Sequence, residues 1–154
     1  MKKVMFVCSS GGHLSEMLKL ESLFYNYKYM LVTEKTKITM DLPKKYNVRF
    51  MKYGSRQYFL KYIFIFIFNV LKSIWLMIKF NPKVVVTTGA HTGGIVCFIA
   101  KIFFKKVIYI ESMAKVTSLS MTGKIMYLFA DKFFVQWEEL EKKYKKAEYL
   151  GRLI

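Results

Sequence analysis

Chemistry-bearing residues gather in three short stretches of this sequence. The first, Ser9 to His13, reads Ser-Ser-Gly-Gly-His and follows the apolar run Val4 to Cys8. Ser10, Gly11 and Gly12 can turn the backbone tightly and present N–H groups, which favours an anion where a strand passes into a helix. His13 adds an imidazole, a group that can take a proton from a hydroxyl. The second stretch, "TTGAHTGG", sets Gly89, His91, Thr92 and Gly93 after another apolar run. The third, "ESMAKVTSLSMTGK", starts at Glu111 and continues through Lys115 and several hydroxyls. The dinucleotide pattern GxGxxG and the phosphate-loop pattern GxxxxGK are both absent. A carboxylate, two histidines and two glycine loops together suit an anionic ligand that also bears hydroxyls, such as a sugar phosphate. No metal is expected. Cys8 and Cys97 stand singly in apolar runs without ligand spacing and read as reduced, buried thiols of a cytosolic protein.

Three separate loops act together only on a scaffold that brings them to one edge. Apolar, strand-like runs cover Lys3–Val7, Lys28–Thr33, Val48–Lys52, Lys83–Thr88, Val107–Glu111 and Asp131–Gln136. Helical spacing is expected over His13–Phe24, from about Gly94 to Phe104, over Ser120–Ala130 and over Glu138–Lys146. Near-continuous apolar strands alternating with helices predict an α/β, Rossmann-like parallel sheet with helices on both faces. Ligands of such sheets bind at the carboxyl ends of strands, where all three loops fall. The 154 residues suffice for one domain, with no repeat or low-complexity linker to divide them.

Charge and hydropathy are unusual in combination. Hydrophobic residues make up 54 % of the chain, yet its formal net charge is +16. Between Leu42 and Ile110 there are 12 Lys or Arg and no acid. Within that span, Tyr58 to Phe80 reads "YFLKYIFIFIFNVLKSIWLMIKF". Its lysine-free core is too short to cross a bilayer, which takes ~20 apolar residues. Lys61, Lys72 and Lys79 are 11 and 7 residues apart, so on a helix they fall within about 20° of one another. One narrow basic stripe therefore flanks an apolar surface carrying Phe64, Phe66, Ile67, Ile74 and Trp75. Such a helix is expected to lie in an anionic membrane interface. A nucleic-acid partner is not expected, because no recognisable binding module interleaves these cations with aromatics. The N-terminal apolar run is too short for a signal peptide, which places the protein on the cytoplasmic face of the membrane.

The segments "SSGGHLSEML", "TTGA", "ESMAKVTSLSMTGK", "ADKFFVQW" and "YLGRLI" occur in an order that extends along the whole chain. Together they resemble the small subunit of split bacterial capsule and exopolysaccharide glycosyltransferases. That family is related to the membrane-anchor subunit of the eukaryotic dolichol-linked N-acetylglucosaminyltransferase. A more distant likeness is to the N-terminal half of the transferase that forms lipid II, whose first loop is richer in glycine than Ser-Ser-Gly-Gly-His. The resemblance implies the N-terminal domain of the two-domain GT-B architecture, with a UDP-sugar bound by a separate catalytic partner subunit and no cofactor in this chain. The end at Ile154 is expected to fall where a linker to the second domain would begin.

By the same resemblance, Gly11 and Gly12 line the diphosphate of an undecaprenyl-diphosphate-linked glycan and His13 sits beside the acceptor hydroxyl as a base. Gly89, His91, Thr92 and Gly93 form a second wall, and Glu111 bonds the acceptor sugar or orients the base. Ser10 and Lys115 complete the acceptor site. The tail, Tyr149, Leu150, Gly151, Leu153 and Ile154, is expected to dock the partner. The implied protein is one half of an inverting heteromeric transferase, inactive or weakly active alone. The alternatives are an anchor without catalytic residues and a self-sufficient enzyme.

Overall fold

Strand and helix alternate as the hydropathy predicts, and the strands close into one sheet. The computed structural model describes residues 1–54 and 59–153. Tyr58 and Ile154, the first residue of the expected membrane segment and the last of the expected docking tail, lie outside the described residues. The strands are β1 (Lys3–Val7), β2 (Lys28–Glu34), β3 (Val48–Met51), β4 (Val84–Thr87), β5 (Lys106–Ile110), β6 (Lys132–Val135) and β7 (Ala147–Tyr149). All pair in parallel, in the order β3-β2-β1-β4-β5-β6-β7. The helices are α1 (Gly12–Leu18), α2 (Glu21–Phe24), α3 (Phe59–Phe80), α4 (His91–Ile102), α5 (Met121–Phe129) and α6 (Glu138–Lys143), with a 3-10 turn at Leu42–Lys44.

Strand order decides where the helices go. Crossovers between parallel strands are right-handed, so a sheet that grows first one way and then the other receives helices on opposite faces. From β1 to β3 the sheet grows outward on one side. Leu14, Met17 and Phe24, from α1 and α2, cover Val4, Phe6 and Leu31 there. From β4 onward it grows the other way. Leu76, Val96, Met126 and Leu140, from α3 to α6, cover Met5, Val32, Val85 and Tyr109 on the opposite face. The reversal lies between β1 and β4. Because every later crossover lies on the second face, the first face has no helix over β4 to β6 among the described residues. Val84, Val86, Ile108, Ile110 and Phe134 line a groove of about 530 Å³ there, with Leu150 to Leu153 along its wall.

Two elements differ from expectation. The helix expected over His13–Phe24 breaks at Lys19 and Leu20, whose N–H groups bond the carbonyls of Glu16 and Met17 three residues back. This tightening turns Phe24 inward, onto Phe6 at 4.4 Å between ring centroids. The strand β7 is not foreseen, because its three residues follow a charged helix and carry no apolar run.

Midway along α3 two polar residues are buried while apolar residues are exposed. Asn69 is 2 % exposed and Ser73 is fully buried, whereas Phe64 is 72 % and Leu71 62 % exposed. The Asn69 amide bonds the backbone of Lys52 twice: Oδ1 accepts from its N–H at 3.0 Å and Nδ2 donates to its carbonyl at 2.9 Å. Ser73 Oγ donates to the carbonyl of Asn69 at 2.6 Å. Phe66, Ile67 and Trp75 lie outward as expected, but Ile74 packs partly against the core. Lys61 and Lys79 are exposed and Lys72 is half-buried. Lys79 lies over the Trp75 ring at 4.6 Å and Lys72 over Phe68 at 5.8 Å. By length and composition α3 is apolar enough to cross a membrane. Its second half, however, is fixed to the sheet through Leu76, Met77 and Phe80, so it lies alongside the domain.

Both cysteines are buried, and burial pushes the Cys8 thiol up to about 12 and raises Cys97 further. Neither should react with maleimide at neutral pH until the chain unfolds, and thiol titration of the native protein checks this. Asn69→Ala leaves the backbone of Lys52 without its partners and should lower stability by about 1–3 kcal/mol in urea melts.

Candidate functional site

The crevice at the reversal between β1 and β4 is where an open parallel sheet binds its ligand. Two of the three chemistry-bearing loops meet there. Ser9 N donates to the carbonyl of Gly89 at 3.3 Å, and Thr88 Oγ1 donates to the carbonyl of His13 at 2.7 Å. His13 Nδ1 lies 2.8 Å from the carbonyl oxygen of Thr88. A carbonyl only accepts, so Nδ1 carries the proton and Nε2 is left as the basic nitrogen. The ring is thus held in one tautomer at the mouth of the crevice.

The glycines shape that mouth. Gly11 has φ +81° and Gly89 φ +94°, conformations that side chains resist. A Cβ on Gly89 would stand 3.0 Å from the Tyr109 hydroxyl and 3.5 Å from His13 Cε1, so His13 packs directly over this glycine. A Cβ on Gly11 or Gly12 would meet nothing within 4 Å. Open space therefore adjoins both residues.

Other expected site residues are turned to structural use. Glu111 is fully buried. Its Oε1 accepts from Ser112 N at 2.9 Å and Tyr109 OH at 3.3 Å. Its Oε2 accepts from Ser120 N at 3.0 Å and Ser120 Oγ at 3.1 Å. Burial, reinforced by the Glu111 charge, pushes the Tyr109 hydroxyl well above its ordinary range, so it remains a donor. The carboxylate ties the third loop shut instead of reaching toward a sugar. Thr92 and Gly93 lie inside the first turn of α4, not on a cleft wall. A Cβ on Gly93 would fall 2.3 Å from Thr87 Oγ1, so this glycine is set by packing. His91 turns to α3, where Nε2 is hydrogen-bonded to the Tyr62 hydroxyl and the ring lies tilted beside Phe66, 6.1 Å between centroids. Lys115 is exposed on the tip of the third loop.

A residue outside the expected set joins the first two loops. Glu34, at the end of β2, is 6 % exposed. Oε2 accepts from Ser10 N at 3.1 Å and Ser10 Oγ at 2.9 Å, and Oε1 accepts from Thr92 Oγ1 at 2.7 Å. The expected ligand-binding Ser10 is thereby engaged from within. Pairing Val7 with Val32 puts Glu34 level with Ser9, and an acid closing the buried run "MLVTE" is the signal that marks it. Glu16 does the same for the third loop, accepting from Ser112 Oγ and Met113 N at 3.0 Å each. Among the described residues no cluster of His, Cys, Asp and Glu could hold a metal ion.

At the tail, β7 holds Tyr149 in the sheet, while Leu150 is exposed and Leu153 N donates to Gln136 Oε1 at 2.8 Å. The Arg152 guanidinium stacks 3.7 Å above the Trp137 ring.

These features define the fold class: a doubly wound parallel sheet equivalent to the N-terminal half of the GT-B architecture. The fold matches MurG of Acinetobacter baumannii with a TM-score of 0.74 at 13 % identity, over 90 % of this chain and 43 % of that one. It also matches UDP-N-acetylglucosamine 2-epimerase of Rickettsia bellii with a TM-score of 0.77 at 15 % identity, over 99 % and 45 %. The chain thus spans less than half the length of either structure. Within this class, residues 4–153 match the family model "Oligosaccharide biosynthesis protein Alg14 like", and the chain belongs to that family. It is 34 % identical to UDP-N-acetylglucosamine transferase subunit alg14 of Schizosaccharomyces pombe, over 97 % of this chain and 82 % of that protein. It is 30 % identical to subunit ALG14 of Homo sapiens, over 98 % and 82 %.

Glu34→Gln sets an amide N–H₂ against donors that now meet a carboxylate. It should cost about 1–3 kcal/mol and speed amide exchange at Ser10, read by mass spectrometry of the exchanged protein.

Proposed function

We propose that this chain is the acceptor-binding subunit of a two-chain, inverting UDP-sugar transferase, working on a polyprenyl-diphosphate-linked glycan at the cytoplasmic membrane face. One observation carries the reading: the crevice opens beside the outward-apolar helix, because His91 at the start of α4 is hydrogen-bonded to Tyr62 of α3. A site for a lipid-linked substrate needs a membrane surface next to a polar crevice. The names of the relatives, UDP-N-acetylglucosamine transferase subunits, support N-acetylglucosamine as the sugar. Bacterial capsule or exopolysaccharide synthesis, with an undecaprenyl carrier, is the setting we assign to it.

In this reaction His13 Nε2 takes the proton from the acceptor hydroxyl. The freed oxygen attacks the anomeric carbon of the donor, and the bond to UDP breaks with its electron pair leaving on the diphosphate. Gly11 and Gly12 lie where the carrier diphosphate would rest. Glu34, Glu16 and Glu111 act as positioning residues that hold the loops around it. The donor and the departing UDP belong to the partner subunit, which docks against the tail from Tyr149 and the neighbouring apolar groove.

Assay of the purified chain, its partner, the UDP-sugar and the lipid acceptor tests this. Turnover should need both chains, and full turnover by this chain alone would overturn the split reading. His13→Ala in the pair should lower kcat by about 10²–10⁴-fold. An unchanged kcat would reduce this chain to an anchor.

A further inference from the structure

The helices α3, α4 and α5 form one layer on one face of the sheet, so their outward sides look into the same half-space. In a water-soluble domain those sides are polar. Here α4 presents Phe98, 55 % exposed, and Ile102; α5 presents Ile125 and Leu128, 57 % and 73 % exposed. Phe98 touches Phe129 of α5 edge-on at 6.1 Å, so the two surfaces are continuous. The helix α6, packed on the same core, is the contrast. Its outward side carries Glu138, Glu139, Glu141, Lys142 and Lys143. The apolar character therefore follows a boundary within the layer, not the layer as a whole.

We propose that α3, α4 and α5 together form one docking plane for an anionic lipid bilayer, resting on the membrane reading above and extending it beyond α3. Charge picks the occupant. Lys61, Lys79 and Lys124 are exposed on these helices, and no acid occurs from Leu42 to Ile110. Cations around an apolar surface match lipid phosphates above acyl chains. A plane of three helices also fixes orientation, which one helix lying in the interface leaves free to roll. On this plane the amino ends of α4 and α5, next to the second and third loops, are held at the membrane.

The test uses single thiols, since Cys8 and Cys97 are buried. Phe64→Cys, Phe98→Cys, Leu128→Cys and Glu139→Cys are each labelled with a polarity-sensitive dye and mixed with phosphatidylglycerol–phosphatidylethanolamine vesicles. Emission should shift to the blue at 64, 98 and 128 and stay unchanged at 139, with weaker shifts on phosphatidylcholine. The double variant Phe98→Ser/Leu128→Ser should lose about tenfold or more in vesicle partitioning. A shift at 64 without shifts at 98 and 128 overturns the plane and leaves α3 as the membrane element. No shift at 64 overturns the membrane reading itself. A blue-shifted dye at 98 and 128 before vesicles are added overturns the plane in favour of a second copy of the chain covering it.

Discussion

The handedness of parallel crossovers governs this molecule. A sheet that starts in its middle and grows in both directions must place its helices on opposite faces, and it must leave a crevice where growth reverses. Three surfaces result. Between β1 and β4 the first two loops meet and form the candidate site. On one face, the later crossovers stack α3, α4 and α5 side by side. On the other, the strands β4 to β6 stay bare, and a groove runs between them and the tail. Each surface has its own chemistry: polar and glycine-lined, apolar with cations, and apolar beside a chain end.

Acids are scarce in this chain, 10 against 26 Lys and Arg, and their placement is selective. Glu16, Glu34 and Glu111 all serve loops at the carboxyl edge of the sheet. Each accepts from backbone N–H groups, hydroxyls or both. A carboxylate that accepts several such bonds is a stronger fastener than any neutral group of its size. The loops are therefore fixed before a ligand arrives, and His13 inherits its orientation from them.

Much of this was legible in the residues themselves. The run "KVMFV" declares a buried parallel strand because both faces of such a strand are covered, the β-branched run "VVVTT" declares another strand, and the glycine-histidine loops fall after them. Less legible was which polar residues face the crevice. Thr92 and Gly93 look like loop residues, yet α4 begins at His91 and turns them inward. Glu111 looks like a site carboxylate, yet its neighbours Ser112 and Ser120 supply enough donors to consume it. Glu34 is invisible to a search for loop motifs, since it is a strand residue and only the register with β1 brings it to Ser10. The break at Leu20 and the short strand β7 depend on tertiary packing, which overrides local pattern.

The inversion of α3 has a consequence for the life of the chain away from lipid. Asn69 ties the helix to the backbone at Lys52, just past β3, and Leu76, Met77 and Phe80 pack it on the sheet, so it cannot roll its phenyl rings inward when no bilayer is present. A copy that leaves the membrane keeps its sticky side outward and meets other copies, chaperones and proteases with that side first. The attachment that orients the candidate crevice thus also keeps an apolar surface exposed in any copy that is off the membrane.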